Sequence, residues 1–252
     1  MKKIHLSAMN HISTVVLLLG LTVTACNKAP QVKESTGVTN TMAVSNTVTV
    51  PTVLSANSVV GSGVAATQTL TLSQPVKRVM ADVSATFIYD PSMGDKIVVT
   101  ADDNIQNQVK VSVEQGILKL APIVSTIQQK TPIQITWGGT APEQLDIAGS
   151  SKVIVRQFKG NQLNANISGS GALDADGQTQ QLNIAILGSG SFVGTQLVAQ
   201  KANLNITGSG NIVVQVKQEV SGKIAGSGSA VVSGNPKNRA ITNEGSGQVV
   251  YQ

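Results

Sequence analysis

Three groups of residues in this sequence have types and spacings that chemistry uses. Asp174-Ala175-Asp176-Gly177 sets two carboxylates two residues apart, Gly-Ser-Gly recurs through the second half, and the single cysteine, Cys26, follows an apolar run. On a strand, residues two apart share a face, so Asp174 and Asp176 form a carboxylate pair of the kind used for glycoside hydrolysis or for calcium. The calcium reading lacks further acidic ligands at fixed spacing, and the surrounding sequence is not the Gly- and Asp-rich nonapeptide of calcium-binding β-rolls. Gly188-Ser189-Gly190 and its relatives invite a phosphate-loop reading, but that loop needs a helix to open after the glycines, and strand-like alternation follows each of these.

Both histidines, His5 and His11, precede Cys26. A chain cut before Cys26 has no imidazole for a Ser-His or Cys-His nucleophile and no His/Cys set for zinc or copper. No metal and no cofactor are expected, and one cysteine cannot form an intrachain disulfide.

Cys26 has a specific setting. Lys2 and Lys3 come before an apolar stretch from Val15 to Val23, too short for an ordinary membrane-spanning helix, and Leu21-Thr22-Val23-Thr24-Ala25-Cys26 closes it with small residues. This ending resembles the bacterial lipobox. The resemblance implies a diacylglycerol on the Cys26 thiol, cleavage before it, and acylation of the new amino terminus by a fatty acid such as palmitate. The membrane is then a partner through the lipid anchor, since two or three acyl chains hold stably at about 0.8 kcal/mol per buried methylene. Asn27, where inner-membrane retention would call for Asp, implies the outer membrane over the inner. Residues 1–25 therefore read as a signal peptide. Residues 26–66, rich in Ser, Thr and Asn with Pro30 and Pro51, read as the lipidated cysteine and a flexible tether. A strand at Thr47-Val48-Thr49-Val50 is the alternative within it.

Beyond Ala25 the chain carries 16 basic and 13 acidic residues, a net of +3, which is no nucleic-acid footprint. Phe87, Tyr89, Trp137, Phe158, Phe192 and Tyr251 are its only aromatics, too few for a sugar cleft lined by stacked rings. The core must be aliphatic.

The elements that would position any site are short strands. Lys96 to Thr100, Val109 to Val113, Ile117 to Leu120 and Ile133 to Trp137 alternate between Gly, Asp, Asn and Pro punctuation, with Glu114-Gln115-Gly116 a tight connection. From about Glu143 one pattern recurs six times, with first glycines at Gly149, Gly169, Gly188, Gly208, Gly226 and Gly245, in steps of 20, 19, 20, 18 and 19. A period near 19 marks a solenoid.

Aligned on those glycines, the positions four and two before hold Leu145, Ala165, Ile184, Leu204, Gly222, Ile241 and Ile147, Ile167, Ile186, Ile206, Ile224, Asn243. Four and six after stand Val153, Leu173, Phe192, Ile212, Ala230, Val249 and Val155, Ala175, Gly194, Val214, Val232, Tyr251. Each repeat is thus two period-2 strands joined by a Gly-Ser-Gly corner, stacked as parallel coils about 4.8 Å apart with these columns inward. The corner glycines answer a sharp turn with φ above zero where coils approach closely. The serines beside them form a hydroxyl ladder serving the corner amides. Arg156 stands seven residues after its corner glycine, as Asp176 does after the next, so the two would form a solvated ion pair about one coil apart.

Outward columns carry amides: Gln144, Asn164, Asn183, Asn203 and Ser221 five before the corner, Asn166 and Asn205 three before. Stacked amides hydrogen-bond along a ladder, and the same face offers a possible binding surface for a glycan or a protein.

The Gly-Ser-Gly corners and the alternating strands before them resemble the putative auto-transporter adhesin head GIN domain family, over about residue 70 to Tyr251. That resemblance implies a right-handed β-helix-like fold and no catalytic motif. Ser151 in the first corner and Asn243 in the last depart from the pattern and imply less regular terminal coils. The expectation is an all-β solenoid over 67–252, less regular across 67–142 and with six repeats across 143–252. Its expected role is non-enzymatic: adhesion, envelope structure or presentation of a binding face. The alternative is a polysaccharide-binding or polysaccharide-active β-helix protein using exposed Asp and Asn.

The lipid assignment predicts that Cys26→Ala abolishes metabolic labelling of the full chain with a fatty acid, because no other thiol exists to accept it. Labelling that persists in the variant rules the assignment out.

Overall fold

The computed structural model describes residues 58–252; the signal segment, Cys26 and the tether as far as residue 57 lie outside the described residues. Pairing begins ahead of residue 67: β1 (Ser58–Val60) lies parallel to β8 (Thr126–Gln128), and β2 (Ala65–Thr71) lies antiparallel to β5 (Lys96–Asp102). The alternation in the first half gives β3 (Arg78–Ala81), β4 (Thr86–Tyr89), β6 (Val109–Glu114), β7 (Ile117–Pro122) and β9 (Gln134–Trp137). Strands β6 and β7 form a hairpin whose turn, Gln115-Gly116, has φ of 52° and 75°, the left-handed pair that a two-residue hairpin needs. Antiparallel β2, β5 and β6 interrupt the parallel stacking here, which is why this half shows no 19-residue period.

From β10 (Gln144–Gly149) onward every pairing is parallel and advances one coil. The long strands β11 (Lys152–Gly169), β12 (Ala172–Gly188), β13 (Ser191–Gly208) and β14 (Asn211–Gly226) are followed by β15 (Ser229–Ser233), β16 (Asn238–Asn243) and β17 (Gln248–Tyr251). Together they make a β-solenoid of about five turns. The registers place Ile147, Ile167, Ile186, Ile206 and Ile224 in one column, and all five are buried. Each coil also has a third wall, at positions other than the two columns before and the two after the glycine. Leu163, Leu182, Ala202 and Val220 are buried six residues before the corner, and Phe158, Leu197, Ala199 and Val216 on the far side. Register shifts between Val155 and Phe158, and again between Asp174 and Asp176, absorb the unequal repeat lengths and break the phase there.

The corner has two distinct requirements. Gly188 has φ 120°, and a Cβ there would stand 2.6 Å from the Gly169 carbonyl oxygen of the coil before. Gly190 meets a side chain instead: its Cβ would stand 2.5 Å from Cγ2 of Ile167. The isoleucine column therefore dictates the second glycine one coil later. Ser151 replaces that glycine in the first corner because the residue stacked under Ile147 is Ala81, which leaves room, and the buried Ser151 hydroxyl donates to the Val83 carbonyl at 2.6 Å. The corner amides are not served by serine hydroxyls as expected. Ser170, Ser189, Ser209 and Ser227 donate their backbone N–H groups to the corner carbonyls of the preceding coil at 2.8–2.9 Å, and their side chains are exposed. In the last corner Asn243 is exposed and brackets the turn, its Nδ2 donating to the Gly247 carbonyl and its Oδ1 accepting from Gly245.

The first strand is held by one buried carboxylate. Asp102 accepts N–H bonds from Gly63 at 3.0 Å, Lys130 at 2.8 Å and Thr131 at 3.1 Å, while Asp103 and Asn104 bond Ser62 and Val60 beside it. Burial works against the charge of Asp102, but the bonds from Thr131, Lys130 and Gly63 outweigh it and hold its pKa below the ordinary carboxylate value.

Two predictions follow from these contacts. Ile186→Asp places an unpaired charge in the dry column between Ile167 and Ile206 and should cost on the order of several kcal/mol, whereas Asn183→Asp stays on the outside and should cost far less in thermal melting; equal tolerance of both would refute the register. Because the folded pKa of Asp102 is depressed, its contribution is present above the ordinary carboxylate range and is lost as pH falls through the lowered value. The protection of the Gly63, Lys130 and Thr131 amides, their exchange relative to the unstructured rate at the same pH, should therefore fall on acidification in the native chain, and already be low at neutral pH in Asp102→Ala. Slow exchange in that variant would deny Asp102 this role.

Candidate functional site

The amide face is set by the outward half of the period-2 pattern in β10 to β14. Five residues before each corner, Gln144, Asn164, Asn183, Asn203 and Ser221 lie in one register column. Three before it run Asp146, Asn166, Ala185, Asn205 and Lys223. The five asparagines that the sequence singled out are thus brought together on a single wall, each half-buried or exposed.

Much of their bonding capacity is used within the wall. Asn183 Nδ2 donates to Asn164 Oδ1 at 2.8 Å, Asn164 Nδ2 to the Glu143 carbonyl at 3.2 Å, Asn203 Nδ2 to the Ser221 hydroxyl at 3.3 Å and Asn205 Nδ2 to Asn203 Oδ1 at 2.6 Å. Gln162 and Gln181, which the offsets from the glycine did not flag, extend the wall by donating to Asn164 and Asn183. Their signal in the sequence is their place next to the buried Leu163 and Leu182. At the first coil Asn166 Nδ2 and Gln144 Nε2 both donate to Asp146 at 2.9 Å, and Arg78 forms an ion pair with it at 2.6 Å. Burial raises the Asp146 pKa, but Asn166, Gln144 and Arg78 outweigh it and hold the carboxyl ionised below its ordinary range.

A shallow groove of about 220 Å³ runs over this face, lined by Gln144, Asn164, Asn166, Asn183, Ala185 and Asn205 among others. A second polar depression of about 370 Å³ lies around the bend, at Lys159, Asn161, Gln178, Gln180 and Gln200. Near the first coils a smaller cavity of about 120 Å³ is lined by Val83, Val109, Leu120, Pro122, Ile127 and Ile133.

The aspartate pair takes a structural role. Asp174 is bridged to Lys152 of the coil before at 2.8 Å, and Asp176 accepts the backbone N–H of Gln157 at 2.6 Å. The expected Arg156–Asp176 ion pair does not form. The register shift after Val155, with Gln157 at φ 49°, takes the two out of a common column, and Arg156 faces Asp90 at 3.6 Å instead. Among the described residues no group of three or more His, Cys, Asp or Glu side chains is placed to hold a metal.

A family model described as putative auto-transporter adhesin, head GIN domain, matches residues 77–236. Among solved structures, a putative adhesin from Bacteroides fragilis NCTC 9343 is similar at 16% identity and a TM-score of 0.63, over 77% of this chain and 100% of that one. A putative lipid binding protein from Parabacteroides distasonis ATCC 8503 is similar at 22% identity and a TM-score of 0.53, over 77% and 99%. At these identities the likeness is one of fold. No curated protein matches the chain.

Proposed function

The chain belongs to the family described as putative auto-transporter adhesin, head GIN domain, and from that premise we propose that it is a non-catalytic binding protein of the bacterial envelope, held to a membrane by lipid on Cys26. The observation that carries the binding role is the amide wall of Asn164, Asn166, Asn183, Asn203 and Asn205, set on the stacked coils of the solenoid. Its side chains are aimed by strand geometry and by one another, so a ligand meets donors and acceptors already in place.

One further observation favours binding over catalysis. The carboxylates that a glycoside-cleaving reading would use are engaged by Lys152 and by the Gln157 amide. The apolar cavity of about 120 Å³ is too small for a whole acyl chain, so a lipid-carrying role draws no support from it. The outer membrane is the expected site of the Cys26 anchor, since Asn27 stands where inner-membrane retention would call for Asp.

The test uses cells producing the full chain. Changing Asn164, Asn183 and Asn203 together to Ser should lower attachment to surfaces several-fold while circular dichroism still reports a folded β protein. Unchanged attachment at equal display would refute the wall as the binding surface.

A further inference from the structure

The amide wall is not uniform, and its one interruption is a slot. Successive coils present outward, five, three and one residues before the corner, Asn164-Asn166-Ser168, then Asn183-Ala185-Leu187, then Asn203-Asn205-Thr207. The flanking strips are wholly polar. The middle strip replaces their polar side chains with Ala185 and with Leu187, which is 62% exposed. Ala185 is the floor, since the asparagines opposite it on either side, Asn166 and Asn205, project past its single methyl. With coils about 4.8 Å apart, those two stand about 9.6 Å from each other across the slot.

The chemistry of the slot is amphipathic and uncharged. Its two rails offer amide and hydroxyl groups, from Asn166 and Ser168 on one side and Asn205 and Thr207 on the other. Asn166 and Asn205 each use one N–H within the wall, towards Asp146 and Asn203, and among the described residues nothing donates to their carbonyl oxygens. Every residue lining the groove is neutral. A phosphate or an acidic peptide would find no cation there, and a purely apolar segment would leave both rails unpaired. The ligand that fits has a ring with hydroxyls at its edges and C–H groups on its face.

We propose that the Ala185–Leu187 slot is a subsite for one ring of a neutral saccharide, its C–H face on Ala185 and Leu187 and its hydroxyls on Asn166, Asn205, Ser168 and Thr207. This deepens the reading of the amide wall as a binding surface and rests on it. Without an aromatic platform a single site is weak, and many copies on one cell raise avidity without new contacts.

The variant that tests the slot makes the middle strip a copy of its neighbour. Ala185→Asn with Leu187→Thr gives the Asn-Asn-Thr strip already carried by Asn203, Asn205 and Thr207, so stacking and melting temperature should hold. Full-length protein is applied to an immobilised panel of neutral and acidic glycans, alongside the double variant and the Asn164, Asn183, Asn203 triple variant. Retention on neutral glycans that falls tenfold or more in the double variant, with its melt unchanged, is the expected result. Retention that is equal in native and double-variant protein, or confined to acidic glycans, overturns the slot. If no neutral glycan retains the native chain while the triple variant still loses cell attachment, the saccharide is overturned and the wall as a binding surface stands. If attachment is unchanged in the triple variant as well, the wall itself fails.

Discussion

The fold depends on one contact repeated from coil to coil: the Cγ2 methyl of an inward isoleucine sitting beneath the second glycine of the next corner. It is seen at Ile147 under Gly171, Ile167 under Gly190, Ile186 under Gly210 and Ile206 under Gly228, where a Cβ on the glycine would approach to 2.5–2.7 Å. The contact ties two columns together, so the apolar column cannot be kept without the glycine column. It also fixes the register. A slip of one residue would turn the isoleucines outward and put side chains under the corners at once. Cross-coil ion pairs such as Lys201–Glu219 and Lys223–Glu244 agree with this register but are exposed, and each contributes about 0–1 kcal/mol.

That coupling explains what was legible in the sequence. The glycine period and the columns at four and two before and four after it lie beside the corner, clear of the register shifts, while the column six after borders or falls within them at Val155, Ala175 and Gly194 and is still buried there. Of the third wall, Leu163, Leu182, Ala202 and Val220 hold a constant six residues before the corner, outside the offsets used, whereas bulges after Val155 and Asp174 vary the distance of Phe158, Leu197 and Val216 from the preceding glycine and hid them. Arg156 and Asp176 were misassigned for the same reason. The amide wall was visible as a column, but Gln162 and Gln181 fell outside the offsets used. Its hydrogen bonds, which divide the face into a satisfied ladder and an open slot, depend on side-chain directions that spacing does not give. The first half kept its organisation hidden because its strands pair in both directions, and the Asp102 grip on Gly63, Lys130 and Thr131 joins residues far apart in sequence.

Departures from the repeat carry more information than the repeat itself. Ser151 marks the place where Ala81 rather than an isoleucine lies below. Phe192 fills the column position at which Gly194 stands: a Cβ on that glycine would meet the ring at 2.7 Å. Phe158 and Gly160 make the same exchange, so these oversized rings are compensated by small neighbours and the core stays close-packed. Each of these exceptions has a partner inside the protein. Among the described residues the Ala185 and Leu187 exception has none, and it lies on the outside.

The position of the Asp102 cluster has a mechanical meaning. A pull on Ser58 is transmitted first through the short parallel pair of β1 with β8, and then into Ser62 and Gly63, where Asn104 and Asp102 accept the backbone N–H groups and Asp103 accepts the Ser62 hydroxyl. Parallel strands drawn along their length share force among several hydrogen bonds at once, and the buried carboxylate adds charge-assisted bonds that must break together. Beyond that point the chain continues into β2, which pairs antiparallel with β5. A load entering at Ser58 thus meets the Asp102 cluster before it reaches the strands that carry the amide wall.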